Sequence, residues 1–313
     1  MLWFGLALLW AFLTTAHAEE SPPPVNAEVG IFLTSLHDLD VHNASYEAVF
    51  WLWAVHDGDA WEPGETLEIV NARSVRVEQH ATDSRADHHW STIKMAAEVR
   101  ADWDVSDFPF DRQDLVLQIE DGDLDWSELR LSADAVNSRV DPALVVPGWD
   151  VERFEIAAEP VTVDTTYGDP TLSGQSTYGR ITVTTHVRRQ GTRAFFSIFS
   201  GIYVAFLLAA LASWVPGGHF GARVTLIAAA TFAAVGNKYV ADAHLPMVSV
   251  VTLVDRVQIA TFLAIGATTG ICVAQEHREE GSAVALRLQA LGRYVVPGVY
   301  LLANAVWIGW AVS

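Results

Sequence analysis

Residues 180–215, RITVTTHVRRQGTRAFFSIFSGIYVAFLLAALASWV, change periodicity in their middle. At the start Ile181, Val183 and Thr185 fall on one face of an extended chain, and Thr182, Thr184 and His186 on the other. That is the period of a half-buried strand. From Ala194 to Val215 the residues are almost wholly apolar, over the roughly 20 positions needed to cross a bilayer. A strand therefore runs directly into a membrane span. Charge divides at the same place: residues 1–190 hold 33 Asp and Glu against 12 Lys and Arg, a net of −21. Residues 191–313 hold 5 acids and 7 bases, a net of +2. An acidic water-soluble half is joined to an apolar half.

Upstream of this border, segments at Val29–Leu33, Tyr46–Val55, Thr66–Val70, Ser74–Glu78, Thr92–Arg100, Asp114–Glu120, Glu128–Leu131, Trp149–Ala157 and Gly179–Val187 alternate or are β-rich. Gly, Pro, Asp and Asn cluster between them. Short strands at such spacing, without a long helical pattern, predict an all-β, immunoglobulin-like sandwich over residues 19–190. Residues 1–18 read as a secretory signal: the apolar run Leu2 to Leu13 ends at Ala16-His17-Ala18, a small-x-small cleavage pattern. The alternative is a first membrane helix, for which that run is short. The single cysteine, Cys272, lies in an apolar span, so the exported half has no disulfide to rely on. About 170 residues bury an adequate core without one. The expected setting is a bacterial envelope, with this domain in the periplasm or outside the cell. The acidic surface either keeps the domain soluble or concentrates cations near a mouth or cleft. It argues against nucleic acid as a partner.

Downstream, residues 191–313 contain four apolar stretches at about 194–215, 222–243, 248–274 and 294–312. Four spans predict a multi-pass protein of the cell (inner) membrane, in contact with the lipid bilayer. Arg278, Arg287 and Arg293 fall between the third and fourth, as a cytoplasmic loop requires. The second stretch is the polar one, with Thr225, Thr231, Asn237, Lys238 and Asp242. At helical spacing Thr225, Ala229, Phe232, Gly236, Tyr239 and Ala243 make one stripe. Such a helix is costly to expose to lipid. It either lines a water-filled space or packs inside a bundle, where small residues allow close approach.

Five local patterns resemble one family. Phe108-Pro109-Phe110-Asp111 with Gln113 is similar to the signature turn of the Cys-loop, or pentameric ligand-gated ion channel, family. The stretch from Asp107 to Glu120 looks like the prokaryotic branch, with Ala101 and Leu115 where animal receptors have cysteines. Trp61-x-Pro63 followed by Leu67 to Asn71 resembles the strand of the first binding loop. Gly148-Trp149-Asp150 resembles the turn before the ninth strand, and Arg189-Gln190 ends the last strand ahead of the first span. Gly221-Ala222-Arg223-Val224 and Leu245-Pro246 bracket the second span as they do in the family.

The resemblance covers residues 25–313 and implies a homopentamer without cofactor or resident metal. Inorganic ions would permeate a pore lined by the second helix, gated by a small-molecule agonist or by protons. It implies Thr225, Ala229, Phe232, Gly236, Tyr239 and Ala243 as pore lining, with Phe232 near a hydrophobic girdle. Asn237 and Lys238 would make interhelical or vestibule contacts. Gly221, Ala222 and Arg223 would form the inner mouth. Asp40, Phe108, Pro109, Asp111, Arg189, Leu245 and Pro246 would couple the two halves, with Arg189 between the carboxylates of Asp40 and Asp111. Trp126, Tyr167 and Tyr178 would bind agonist. Only seven residues separate Trp53 from Trp61, shorter than in the family, and the first span lacks the family's central proline. Both departures bear on the agonist pocket and the bundle. The mouth residues favour anions, whereas Asp242 and the acidic domain favour cations.

Two other classes compete. An enzyme could use Asp121, Asp123 and Asp125 as a carboxylate pair or calcium loop, or His88 and His89 with Asp87 as metal ligands. No oxyanion motif, phosphate loop or nucleophile elbow accompanies them. A non-conducting sensor on a helical anchor is the third class.

Overall fold

The computed structural model describes residues 23–57, 61–84, 88–166, 168, 174–216, 218–245, 250–279 and 281–312. The expectations on the signal at 1–18 and on Asp87, Tyr167 and Pro246 lie outside the described residues.

Ten strands build two sheets. They are β1 (Val25–Asp40), β2 (Ser45–His56), β3 (Leu67–Ile69), β4 (Ala72–Ser84), β5 (His89–Arg100), β6 (Arg112–Asp121), β7 (Leu129–Ala133), β8 (Arg139–Val140), β9 (Trp149–Val163) and β10 (Ser176–Arg189). A one-turn helix, α1 (Pro63–Thr66), precedes β3. One sheet has the order β4-β5-β2-β1-β7 with β8 also on β1; the other is β3-β6-β10-β9. The core between them follows from alternation. Val29, Ile31 and Leu33 of β1 are buried, as are Tyr46, Phe50 and Leu52 of β2 and Ile93, Met95 and Val99 of β5. Opposite them lie Leu115, Leu117 and Ile119 of β6 and Ile181, Val183 and Val187 of β10. Truncating one of the large members, such as Phe50 to alanine, costs about 3–5 kcal/mol. The face predicted for Ile181, Val183 and Thr185 is the buried one.

Polar groups fix the ends of this sandwich. Asp121 is buried; its Oδ2 accepts from Trp61 Nε1 at 2.7 Å and Thr66 Oγ1 at 2.5 Å, and its Oδ1 accepts from the amides of Asp123 and Leu124. Asp125 Oδ1 instead caps Ser127. Asp121 and Asp125 thus hold separate turns, and Asp121 accepts from four donors. Asp134 is a comparable anchor, accepting from Trp53 Nε1 at 3.1 Å and from the amide and side chain of Asn137. Burial works against its ionisation, but Asn137 and Trp53 outweigh that, and its carboxyl sits below the ordinary value of 3.8. A depressed carboxyl adds stability above the unfolded value and loses it as the pH falls through the folded value. Asp134→Asn is therefore expected to lower stability by about 1–2 kcal/mol at neutral pH. Thermal midpoints of variant and parent should converge below the ordinary value. A gap that persists in acid would remove the ionised form from the explanation.

Four apolar helices follow: α2 (Thr192–Ala212), α3 (Phe220–Asp242), α4 (Leu253–Glu276), and α5 (Ala283–Ala290), which continues through a π-helical turn at Leu291–Val295 into α6 (Val296–Val312). All four are long and apolar enough to cross a membrane. The 21 residues of α2 span about 31 Å, close to the hydrocarbon thickness of a bilayer. Two expected boundaries shift. The third helix starts at Leu253, because Thr252 and Asp255 form a reciprocal capping box. The fourth starts at Ala283, where Ser282 accepts from the Ala285 amide. Arg287 and Arg293, expected in a loop, are therefore on helix. The run Ala-Val-Ala-Leu-Arg-Leu-Gln-Ala after that cap consists mostly of strong helix formers.

Candidate functional site

The two halves share one core. Val105 and Phe108 from the β5–β6 loop pack with Ile198, Phe199 and Ile202 of α2, Ala241 of α3, and Leu253, Val254 and Val257 of α4. The Leu253 amide donates to Ser106 O at 2.8 Å, and Phe110 lies 5.6 Å from Phe195, ring to ring. At Gly191 an added Cβ would sit 1.9 Å from Pro109 O, so only glycine lets the chain leave β10 this close to the loop.

Arg189 and Asp111 lie at the centre of this junction. Arg189 Nε donates to Asp111 Oδ1 at 2.7 Å and its Nη2 to Oδ2 at 3.1 Å. Asp111, with 1% of its side chain exposed, also accepts from Gln113 Nε2 at 2.6 Å. The Arg189 amide donates to Asp111 O. The guanidinium lies 4.1 Å from the ring centre of Trp149 and 5.0 Å from that of Phe108.

Asp40 is not the second carboxylate on Arg189, which corrects that expectation. Its oxygens accept instead from the His42 and Asn43 amides and the Asn43 side chain. Those Asn43 bonds hold its carboxyl below the ordinary range. The second contact on Arg189 is aromatic. Sequence reasoning does not point to Trp149: only the register of β9 on β10 sets it opposite Arg189. Asp40, Phe108, Arg189 and Leu245 nevertheless line one cavity of about 420 Å³, with Asp38 and His244.

On α3 the predicted stripe is separate from the packed face. Ala230, Ala234, Asn237 and Ala241 are buried against the other helices. Thr225, Ala229, Phe232, Gly236, Tyr239 and Ala243 are all exposed in the single chain, Phe232 at 80% and Tyr239 at 74%. The two sets lie ~150° apart around the helix, at about 100° per residue. Phe232 is therefore not packed against another helix of its own chain. Asn237 makes the expected interhelical contact, beside Gly201 of α2, while Lys238 pairs with Asp242 at 3.0 Å.

Gly221 and Ala222 are exposed, but Arg223 is 3% exposed. Its Nε and Nη2 donate to Val215 O and its Nη1 donates to Gln275 Oε1 at 2.8 Å. The Arg223 side chain is thus tied to the end of the α2 segment and to α4. Val215 O, just beyond the end of α2, takes the guanidinium inward.

Trp126 and Tyr178 are neighbours through a backbone bond from the Trp126 amide to Thr177 O at 2.8 Å, and Arg130 lies over the Trp126 ring. A larger aromatic group lies on the other sheet. Phe32, Trp53 and Trp90, with Glu28, Asp134 and Arg139, line a cavity of about 710 Å³. Gly30 lies opposite Trp53, and a Cβ there would be 2.3 Å from the indole, so glycine lets the ring lie across the strand. Sequence alone does not find this site, because its residues come from β1, β2, β5 and the segment after β7. His89 stacks on His56 at 5.3 Å and bonds Ser84 Oγ, as a packed side chain does. The His37, Asp38 and Glu47 side chains approach one another as exposed ion pairs.

No protein-family model matches this chain, and no curated protein matches it either.

Proposed function

We propose that the protein is a ligand- or proton-gated ion channel of the bacterial inner membrane, a prokaryotic member of the pentameric ligand-gated family. The observation that carries this reading is the α3 stripe. A helix with a small, packed face and an opposite exposed face running from Thr225 through Phe232 to Tyr239 suits five copies around an axis. The junction supports it, since a buried Arg189–Asp111 pair ties the last strand to the loop that packs on α2 and α4.

Cations are the favoured ions. Burial of Arg223 removes the only basic residue of the Gly221-Ala222-Arg223 mouth from consideration as a ring of charge. Thr225 Oγ1 donates its proton to Gly221 O, which leaves oxygen lone pairs facing outward. The acidic domain above adds the same sign. The aromatic cavity of Phe32, Trp53 and Trp90, with Glu28 in its lining, suits a cationic amine held by cation–π attraction. In a pentamer it would face Trp126 and Tyr178 of the adjoining copy.

Recording from the full-length protein in planar bilayers under a salt gradient tests this. The expected result is a current evoked by acid or an amine, reversing near the cation potential. Reversal at the chloride potential would overturn the selectivity alone. Ordered pentamers that pass no current under any condition would overturn the channel in favour of a sensor.

A further inference from the structure

We propose that the cavity of Phe32, Trp53 and Trp90 takes a zwitterion whose ammonium and carboxylate are separated by a chain of several carbons, an ω-amino acid. This rests on the reading of that cavity as an amine site and adds a second charge to its ligand. Glu28 and Arg139 both line the cavity, and both are exposed. Among the described residues neither side chain forms an ion pair or a hydrogen bond. Other charges on the same sheet are paired, Lys94 with Glu78 at 2.9 Å and Arg73 with Glu98 at 3.2 Å. The remaining acid of the lining, Asp134, is taken up by Trp53 Nε1 and by Asn137. The cavity thus presents an uncommitted acid and an uncommitted base that do not pair with each other.

Strand register puts the two charges at opposite ends. Glu28, Gly30 and Phe32 follow one another on one face of β1. Glu28 stands opposite Val55, which pairs with Trp90, and Gly30 stands opposite Trp53, which pairs with Thr92. Arg139 of β8 is the partner of Phe32. Glu28 and Trp90 therefore share one cross-strand row, Trp53 lies in the next, and Phe32 with Arg139 in the last. The first and last rows are four residues apart on β1, ~13 Å at about 3.3 Å per residue. An ammonium ion fits the first row, where Glu28 and the Trp90 ring share the lining. A carboxylate fits the last, on the planar fork of Arg139. Between them Trp53 offers an apolar ring, held across Gly30 by its bond to Asp134. An α-amino acid, its charges one carbon apart, meets one end or the other. A longer chain meets both.

Isothermal titration calorimetry on the full-length protein in detergent, corrected for empty micelles, tests this with 6-aminohexanoate, its isomer 2-aminohexanoate, hexylamine and hexanoate. 6-Aminohexanoate is expected to bind tightest, by about tenfold over each of the others, the effect of one charge-assisted contact. Arg139→Gln should cut its affinity about tenfold, to that of hexylamine, and leave hexylamine binding unchanged. Glu28→Gln should weaken 6-aminohexanoate and hexylamine together and spare hexanoate. Hexylamine bound as tightly as 6-aminohexanoate would overturn the zwitterion while the amine site stands. Equal affinity for 2-aminohexanoate would overturn the separation of charges, and equal affinity for hexanoate would overturn the amine site as well. Loss of hexylamine binding in Arg139→Gln would make Arg139 a structural residue and overturn its role. If none of the four compounds binds, the proposal and the amine site both fall, and the channel reading is decided by the salt-gradient recording.

Discussion

Arg189→Ala is expected to abolish evoked current while the protein still assembles. Asp111 is almost fully buried, and Arg189 is its countercharge. Removing one partner of such a pair strands the other at a cost of about 3–5 kcal/mol. Gln113 Nε2 would remain on the carboxylate, but a neutral amide does not replace a cation. The stranded Asp111 would take up a proton or admit water, and the loop carrying Phe108 and Ser106 would loosen from α4. Arg189→Lys should keep part of the function, since it retains charge but loses the two-pronged contact and the flat stack on Trp149. Arg189→Gln with Asp111→Asn separates stability from coupling. Removing both charges should restore most of the thermal stability, because a neutral pair leaves no buried ion. Current should stay lost if the charged pair transmits the signal. Size-exclusion chromatography and bilayer recording read the two effects independently. A normally gated Arg189→Ala protein would reduce the pair to a structural staple.

Much of the fold is legible because alternation and span length are local properties. Ile181, Val183 and Thr185 reveal the core face of β10 without any partner strand. What local pattern does not encode is which strands meet. The aromatic cavity of Phe32, Trp53 and Trp90 forms only when β1, β2 and β5 align, and Trp149 reaches Arg189 only through the β9 register. Arg223 shows a different limit. Its place at the start of α3 is plain, but a long side chain reaches either way, and the orphan Val215 carbonyl decides the direction. Asp40 is similar: a short-range turn with His42 and Asn43 captures a carboxylate that the family resemblance assigns to a distant arginine. Helix periodicity, by contrast, separates the exposed stripe of α3 from its buried one, because side-chain direction on a helix follows from position alone.

Phe232→Ala is expected to raise the current at rest or shift agonist response to lower concentration, by about tenfold. The side chain is among the most exposed large apolar groups of the chain, yet it sits on the least apolar of the long helices. Five such rings around a narrow axis exclude water, and a dry constriction blocks ions without a charged plug. Replacing each ring with a methyl group widens the constriction and lowers the cost of wetting it. The closed state then loses stability relative to the open one, and a bias of ~1.4 kcal/mol in that equilibrium is tenfold in the open population. A lipid-facing residue of similar exposure serves as the control. Leu263 on α4 provides the comparison, at 69% exposed and lining an apolar groove with Val299 and Trp307. Leu263→Ala should leave resting current and agonist sensitivity unchanged, since a lipid chain replaces the lost contacts. If Phe232→Ala behaves like Leu263→Ala, the stripe faces lipid or a neighbouring subunit rather than water. If it opens the channel while Leu263→Ala does not, the phase of α3 is fixed, and Thr225 and Tyr239 face the same axis.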